Sequence, residues 1–220
     1  MSLCLLKEDL VASSRRKVTF IEYHPFFQCC VNSVAQLKEV EEELFELMNS
    51  TKAEEMSDTE TNRSLYLQHQ VDMHELSAPI FAITAAENFI NLYSESIEGD
   101  HFHTTENLNT LGIMSKWIVI PYIACGAELD KNCAAMSEFQ ELIKVRNSLI
   151  HAKPIRSYNI NDEQIERAGL KFDNRSKDRR RIAKRSDKII INLLSELLTI
   201  DDRDELVDLI ESLKIPVNHG

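Results

Sequence analysis

Apolar residues recur every three or four positions along most of the chain, which is the spacing of a buried helix face. Between Val31 and Met48 they alternate with glutamates, and from about Ser64 to Ile97 they form a broader face that is rich in small residues. The members of this second face are Ala78, Phe81, Ala82, Ala85, Ala86, Phe89, Ile90 and Tyr93. Because small side chains let another helix approach closely, the segment is predicted to be the central helix of a bundle.

The same spacing predicts further helices towards the C-terminus. One covers 108–126, where Pro121 should kink or interrupt it, and the next runs from about Ala134 and ends before Pro154. The remaining predicted helices lie near 162–169, over 186–198, and after a cap at Asp201 or Asp202.

Two segments depart from the helical pattern. Residues 18–23 alternate apolar and polar side chains before Pro25, which favours a short strand or an extended arm. The polar stretch 49–62 is typical of a loop or a frayed helix end, and the stretch 98–107 is typical of a loop.

Composition agrees with a helical protein. Only five Gly and five Pro occur in 220 residues, and 43% of the residues are hydrophobic, enough for a proper core. The predicted fold class is therefore all-α, an up-and-down helical bundle. With no internal repeat and no long linker, we expect one helical domain over 1–220, with a core at about 30–155 and a C-terminal helical extension over 156–220.

Neither a membrane span nor a metal centre is predicted. No apolar run is long enough to cross a bilayer, and the basic residues near the N-terminus follow the apolar ones, so we expect a cytoplasmic protein without membrane contact. Five cysteines without a Cys-x-x-Cys favour reduced, mostly buried thiols. The group Asp100, His101 and His103 could bind a transition metal, but its isolation favours a polar loop, and no cofactor is predicted.

Charge is unevenly distributed. The net charge of −11 argues against a general nucleic-acid coat, yet residues 167–188 hold ten basic residues against three aspartates, so they carry +7 and the rest carries −18. This basic segment could attract RNA, or it could pair with the acidic surface of the same chain.

The stretch RNSLIHAKP, residues 146–154, contains a combination suited to phosphate chemistry. Asn147 and His151 are four positions apart and share a helix face, and the long side chain of Arg146 can reach the same place. Histidine can move a proton near neutral pH, and arginine grips phosphate oxygens. The alternative is that Arg146 and His151 only interact with the carbonyls and the dipole of a helix C-terminus.

This stretch resembles the Arg-Asn-x-x-x-His signature of the HEPN domain superfamily. A second segment, PIFAITAAENFINLYSE at 79–95, is similar to an earlier helix of bacterial HEPN-like proteins, in which a small-residue face precedes a Glu and an Asn, here Glu87 and Asn91. The resemblance covers about residues 65–154, with both pieces in the expected order.

The resemblance implies a helical bundle that forms a homodimer with two motifs facing one cleft. Many members are metal-independent endoribonucleases, often toxins or defence factors, that leave a 2′,3′-cyclic phosphate, and a toxin would have an antitoxin protein as partner. Other members are nucleotide-binding or protein-interaction modules without catalysis. RNA or a nucleotide is the expected ligand in either case.

Site residues are carried over by position. His151 would be the acid/base, Arg146 the phosphate clamp, and Asn147 a residue that orients the site. Glu87 would support Arg146 or His151. Lys153 departs from several active members, which have a tyrosine there, but its charge could still bind phosphate. Arg156, which follows the matched residues, is also predicted to bind substrate.

Overall fold

The computed structural model describes residues 23–50, 56–95, 108, 110–150, 176–204, 206–207 and 210. Within these residues the regular secondary structure is helical and no strand occurs, which confirms the predicted all-α class. In chain order the helices are α1 (Tyr23–Ser50), α2 (Asp58–Glu95), α3 (Ile113–Cys125), α4 (Ala134–Ile150), α5 (helical residues 176–183) and α6 (Ser186–Leu197).

Helix α1 begins earlier than its apolar pattern predicted. Residues 18–22 of the predicted strand or arm lie outside the described residues, but from Tyr23 onward the chain is helical, so the prediction is wrong there. Pro25 is compatible with this start because it lies in the first turn, where the backbone N–H has no helical partner to lose.

Helix α2 starts inside the stretch predicted to be a loop or a frayed end, because a capping box fixes its first turn. The backbone N–H of Ser57 donates to Oε2 of Glu60 at 2.8 Å, and the backbone N–H of Glu60 donates to Oγ of Ser57 at 3.3 Å. These bonds satisfy polar groups that a helix end otherwise leaves open.

The body of α2 confirms the predicted central face. All eight predicted positions except Phe81 are buried, and Phe81 is half-buried. The helix continues through Pro79 to Glu95. Helix α3 likewise continues through Pro121. Of the two predicted outcomes, a kink or an interruption, the interruption is therefore wrong. Gly126 then ends α3 in the left-handed conformation, with φ 71°, which glycine adopts without steric cost.

The chain forms two compact units, each built from separate sequence segments. The first contains described residues of Thr84–Ser137 and Ile191–Gly220 together with the start of α1, and the second contains those of Phe27–Ile83 and Glu138–Ile190. The predicted single domain with a core at about 30–155 stays a prediction.

An aromatic stack lies in the core of the first unit. The ring of Phe89 stacks on Tyr93 at a centroid distance of 6.1 Å and on Trp117 at 5.7 Å. All three side chains are fully buried. The other large side chains buried in this unit include Ile90, Ile120, Leu129, Met136, Leu193, Leu194 and Leu197.

In the second unit three helices share one apolar contact. Leu37 of α1, Val71 of α2 and Ala183 of α5 are fully buried together, and the partly buried Val40 and Leu44 pack against them. Helix α5 was not predicted, since its sequence is dominated by charge, whereas α6 begins at the predicted Ser186.

Several predictions fall on residues that the structure does not describe. These are the loop 98–107, the short helix at 162–169, and the site residues His151, Lys153 and Arg156. Among the described helices, none combines the length and apolarity needed to cross a bilayer.

The cysteine prediction is partly wrong. The four described cysteines are free, but only Cys30 is buried, while Cys29 and Cys125 are exposed and Cys133 is intermediate. Burial raises the pKa of the Cys30 thiol well above its ordinary value, helped by the nearby Asp187 carboxylate.

Candidate functional site

The end of α4 carries Arg146 and Asn147 of the predicted motif. Arg146 is half-buried and Asn147 is exposed. Nη1 of Arg146 donates a hydrogen bond to Oδ1 of Asn147 at 3.0 Å, so the two neighbouring side chains meet. A guanidinium has five N–H donors in a rigid plane, and this bond leaves most of them for another acceptor.

Arg146 differs from the other described arginines in its partner. In the part of the chain that the structure describes, its hydrogen bond goes to a neutral amide and no carboxylate pairs with it. The arginines that do pair with a carboxylate are Arg63, Arg179, Arg180, Arg181, Arg185 and Arg203. Among the described residues, the guanidinium at the end of α4 therefore has no carboxylate to balance its charge, an arrangement that favours an anionic ligand.

Residues 179–185 of the basic segment pair with acidic residues of the same unit, as one of the two alternatives predicted. Glu75 is fully buried and accepts hydrogen bonds from Nε of Arg179 and, at 3.0 Å, from Nε of Arg180. Glu41 pairs with Arg180 and Lys184. These cations are consequently compensated, and they hold α5 against α1 and α2.

Two further ion pairs, which are more exposed, join the basic segment to acidic residues of α4. Arg181 donates to Glu141 at 3.0 Å, and Arg185 donates to Glu138. The side chains of Arg181 and Glu141 are each 50% exposed, so this pair contributes little to stability.

Among the described residues Glu87 pairs with Lys116, whereas the resemblance implied Arg146 or His151 as its partner. Nζ of Lys116 lies 3.6 Å from Oε1 of Glu87 and donates to Oδ1 of Asn91 at 2.9 Å. Glu87 and Asn91 are one helical turn apart on α2, and together they satisfy a lysine that is buried within the apolar helix α3. A lone lysine in an apolar helix was the available signal for this contact.

A second buried polar group, also missed from the sequence, lies in the first unit. The hydroxyl of Tyr93 donates to Oδ2 of Asp201 at 2.6 Å and lies 3.4 Å from Sγ of Cys125. Nε of Arg203 donates to Asp201, and its guanidinium covers the Tyr93 ring at 4.9 Å. Asp201 is thus bound inside the unit, and the helical residues that follow begin at Asp204.

This environment raises the pKa of Tyr93 and lowers the pKa of Asp201, and both shifts strengthen the hydrogen bond between them. Burial and the bond to Asp201 raise the pKa of the Tyr93 hydroxyl far above its ordinary value. Burial favours the neutral form of Asp201, but hydrogen bonds from Arg203 and Tyr93 outweigh it and hold the Asp201 pKa below its ordinary value. The group fastens the chain after α6 to α2.

Within the described ranges, no cluster of three or more His, Cys, Asp or Glu side chains is arranged to hold a metal ion. Asp100, His101 and His103 lie outside those ranges.

The described geometry defines the class of the protein as an all-α helical protein in which Arg146 donates a hydrogen bond to the neighbouring Asn147. No protein-family model matches the chain, no curated protein sequence matches it, and no solved structure matches its fold.

Proposed function

We propose that this chain is a metal-independent endoribonuclease of the HEPN type. The observation that supports the proposal most directly is the guanidinium of Arg146, which binds the neutral Asn147 and, in the described part of the chain, no carboxylate. An RNA phosphate carries a negative charge that suits this guanidinium, and the planar guanidinium donors match two of its oxygens.

The proposed reaction is attack of a ribose 2′-oxygen on the adjacent phosphorus. His151 takes the proton from the 2′-hydroxyl, the P–O bond to the 5′-oxygen of the next nucleotide breaks, and a 2′,3′-cyclic phosphate remains. Arg146 stabilises the charge that builds up on the phosphorane oxygens, and Asn147 orients Arg146 through its 3.0 Å hydrogen bond. A proton then returns to the departing 5′-oxygen.

Lys153 and Arg156 bind substrate phosphates with their positive charges. As the resemblance implies, two chains act as a homodimer, and the protein is cytoplasmic. The biological role is that of a toxin or defence factor, restrained by an antitoxin protein.

A second candidate function is a nucleotide-binding or protein-interaction module without catalysis. The pairing of Arg146 with Asn147 favours it, because this pair suffices to bind a phosphate whether or not His151 moves a proton.

The proposal is tested by incubating purified protein with a labelled mixed RNA in EDTA and analysing rates and product ends. His151→Ala should slow cleavage by about 10²-fold or more, as expected for loss of a general acid or base. Arg146→Ala should slow it by a comparable factor, because a charged donor to the transition state is lost.

Arg181→Ala is the matched control, since it removes an equally charged side chain whose exposed partner is Glu141. It should cleave at the wild-type rate. Cleavage that persists in His151→Ala and Arg146→Ala would contradict the ribonuclease proposal at these residues. Absence of cleavage together with nucleotide binding that Arg146→Ala abolishes would select the binding module.

A further inference from the structure

A groove runs along α1 beside α5, and all the residues that line it belong to the second unit. Its volume is about 580 Å³, which lies within the usual range for small-molecule sites. The lining residues on α1 fall between Lys38 and Met48, so the groove extends along about 15 Å of this helix. Charged and apolar residues occupy opposite ends of this length.

The polar end of the groove contains Lys38, Glu41 and Glu42 of α1. Arg180 of α5 and Lys184, which follows α5, line the groove at the same level, because both pair with Glu41. The Nε atom of Arg180 lies 3.4 Å from Oε1 of Glu41. This end therefore presents fixed charges on both walls.

The apolar end follows on α1 and contains Leu44, Phe45 and Met48. Leu44 is partly buried and packs against the core of the second unit, so this end joins the core at its base. Phe45 is 69% exposed and Met48 is 47% exposed. Their surfaces face water in the groove, and covering them with an apolar group would be favourable.

The ion-pair network at the polar end has an excess of positive charge. Three cations, Arg179, Arg180 and Lys184, pair with only two carboxylates, Glu41 and Glu75. Each cation has a partner, but the network as a whole carries one positive charge more than it balances. The chain as a whole carries −11, so this local sign is the reverse of the general one.

Lys38 and Glu42 add one charge of each sign to the polar end. They are exposed and four positions apart on α1, yet within the described residues no ion pair joins them or links either to another side chain. The ammonium group of Lys38 is therefore available to a ligand, and Glu42 is the one carboxylate at this end that would oppose an anion.

We propose that this groove binds a medium-chain fatty acid, with its carboxylate at the polar end beside Lys38 and its alkyl chain over Phe45 and Met48. The excess positive charge selects an anionic head, and the apolar end selects a hydrocarbon tail. A small anion would leave the apolar end in water, and an uncharged tail would leave the charge of the polar end unmatched. The proposal goes beyond RNA cleavage and does not depend on it.

Calorimetric titration of the full chain, without RNA, tests the proposal with three probes of equal tail length below their micelle-forming concentrations. Decanoate should bind about two- to fivefold more tightly than decanol, as an exposed charge pair contributes, and decylammonium should bind most weakly. A general apolar surface would instead prefer the uncharged decanol, and the net charge of −11 would attract decylammonium. The expected order is thus specific to the groove.

Substitutions locate the two ends of the ligand. Phe45→Ser should weaken decanoate binding by about tenfold or more, because the alkyl chain loses its largest apolar contact. Lys38→Gln should weaken it by about two- to fivefold, and Glu42→Gln should strengthen it by a similar factor, because the two changes act on the carboxylate with opposite sign.

Two matched controls make the same substitutions elsewhere in the second unit. Leu65→Ser changes an apolar residue on α2 that is 64% exposed, and Lys144→Gln changes an exposed lysine on α4. Both should leave decanoate affinity unchanged, and circular dichroism checks that every variant is folded.

Absence of decanoate binding at millimolar concentration would overturn the inference. So would tighter binding of decanol than of decanoate, or an equal loss of affinity in Phe45→Ser and Leu65→Ser. RNA cleavage is measured separately, so either proposal can fail while the other stands.

Discussion

Replacing the buried carboxylate Glu75 by its amide should destabilise the protein more than any comparable surface change. Glu75 is fully buried, and it accepts hydrogen bonds from Nε of Arg179 and Nε of Arg180. In Glu75→Gln the amide oxygen can keep one of these bonds, but the amide nitrogen presents hydrogen atoms to the other guanidinium. The substitution thus removes one charge-assisted bond and leaves two cations without their shared anion.

The magnitude follows from the two partners. A hydrogen bond to a charged group contributes about 1.5 to 3 kcal/mol, and breaking a buried ion pair on one side costs about 3 to 5 kcal/mol. Arg179 and Arg180 are 29% and 37% exposed, and Arg180 keeps Glu41 as a second partner, which moderates the loss. We therefore expect Glu75→Gln to lower the free energy of unfolding by about 3 kcal/mol.

Urea unfolding followed by circular dichroism measures this change. Glu141→Gln is the matched control, because it makes the same substitution in the exposed pair with Arg181 and should cost less than about 1 kcal/mol. If Glu75→Gln and Glu141→Gln destabilised the chain equally, the buried network would not anchor α5 as described, and the reasoning would be refuted.

Three further predictions concern the first unit. Tyr93→Phe removes the buried bond to Asp201 and should lower the free energy of unfolding by about 1 to 3 kcal/mol near neutral pH, measured in urea. The folded state lowers the pKa of Asp201 from 3.8, so the ionised carboxylate stabilises the fold above that pH. This stabilisation is lost as the pH falls through the folded-state pKa. Asp201→Asn should therefore weaken the dependence of stability on pH at the acid side. Ala86→Leu should cost about 1 to 3 kcal/mol, because it forces a large side chain into a fully buried small-residue face.

These predictions have clear contrary outcomes. Equal stability of Tyr93→Phe and wild type at pH 7 would show that the hydroxyl bond contributes nothing. An acid-side profile unchanged in Asp201→Asn would assign the pH dependence to other carboxylates. Ala35→Leu, on the exposed surface of α1, is the control for Ala86→Leu and should be nearly neutral, so equal effects would mean that the face of α2 is not tightly packed.

The helices were predictable where apolar spacing alone decides them. The small-residue face of α2 was placed almost residue by residue, because burial on one side of a helix imposes its period directly on the sequence. Helix starts were harder. Ser57 and Glu60 form a capping box inside a stretch that composition marks as a loop, and Pro25 looks like a strand end although it is tolerated in a first helical turn.

Contacts between distant charged residues were not predictable. The sequence shows a basic run, but it does not reveal that Glu75, more than a hundred positions away from Arg179, is the buried carboxylate that binds it. Likewise Asp201 is a plausible helix cap from its neighbours, and only the tertiary fold brings Tyr93 to it. For the candidate site, the adjacency of Arg146 and Asn147 could be predicted from one helix end. Whether a carboxylate pairs with Arg146 depends on the tertiary fold, and among the described residues none does.

The most direct test of the proposed function is the chemical nature of the product ends when wild-type protein cleaves RNA in EDTA. Attack by the 2′-hydroxyl requires 2′,3′-cyclic phosphate ends, and both Arg146→Ala and His151→Ala should slow their formation by about 10²-fold or more. Products that carry 3′-hydroxyl and 5′-phosphate ends, or cyclic-phosphate products that both variants still form at the wild-type rate, would contradict the assignment of this chemistry to the end of α4.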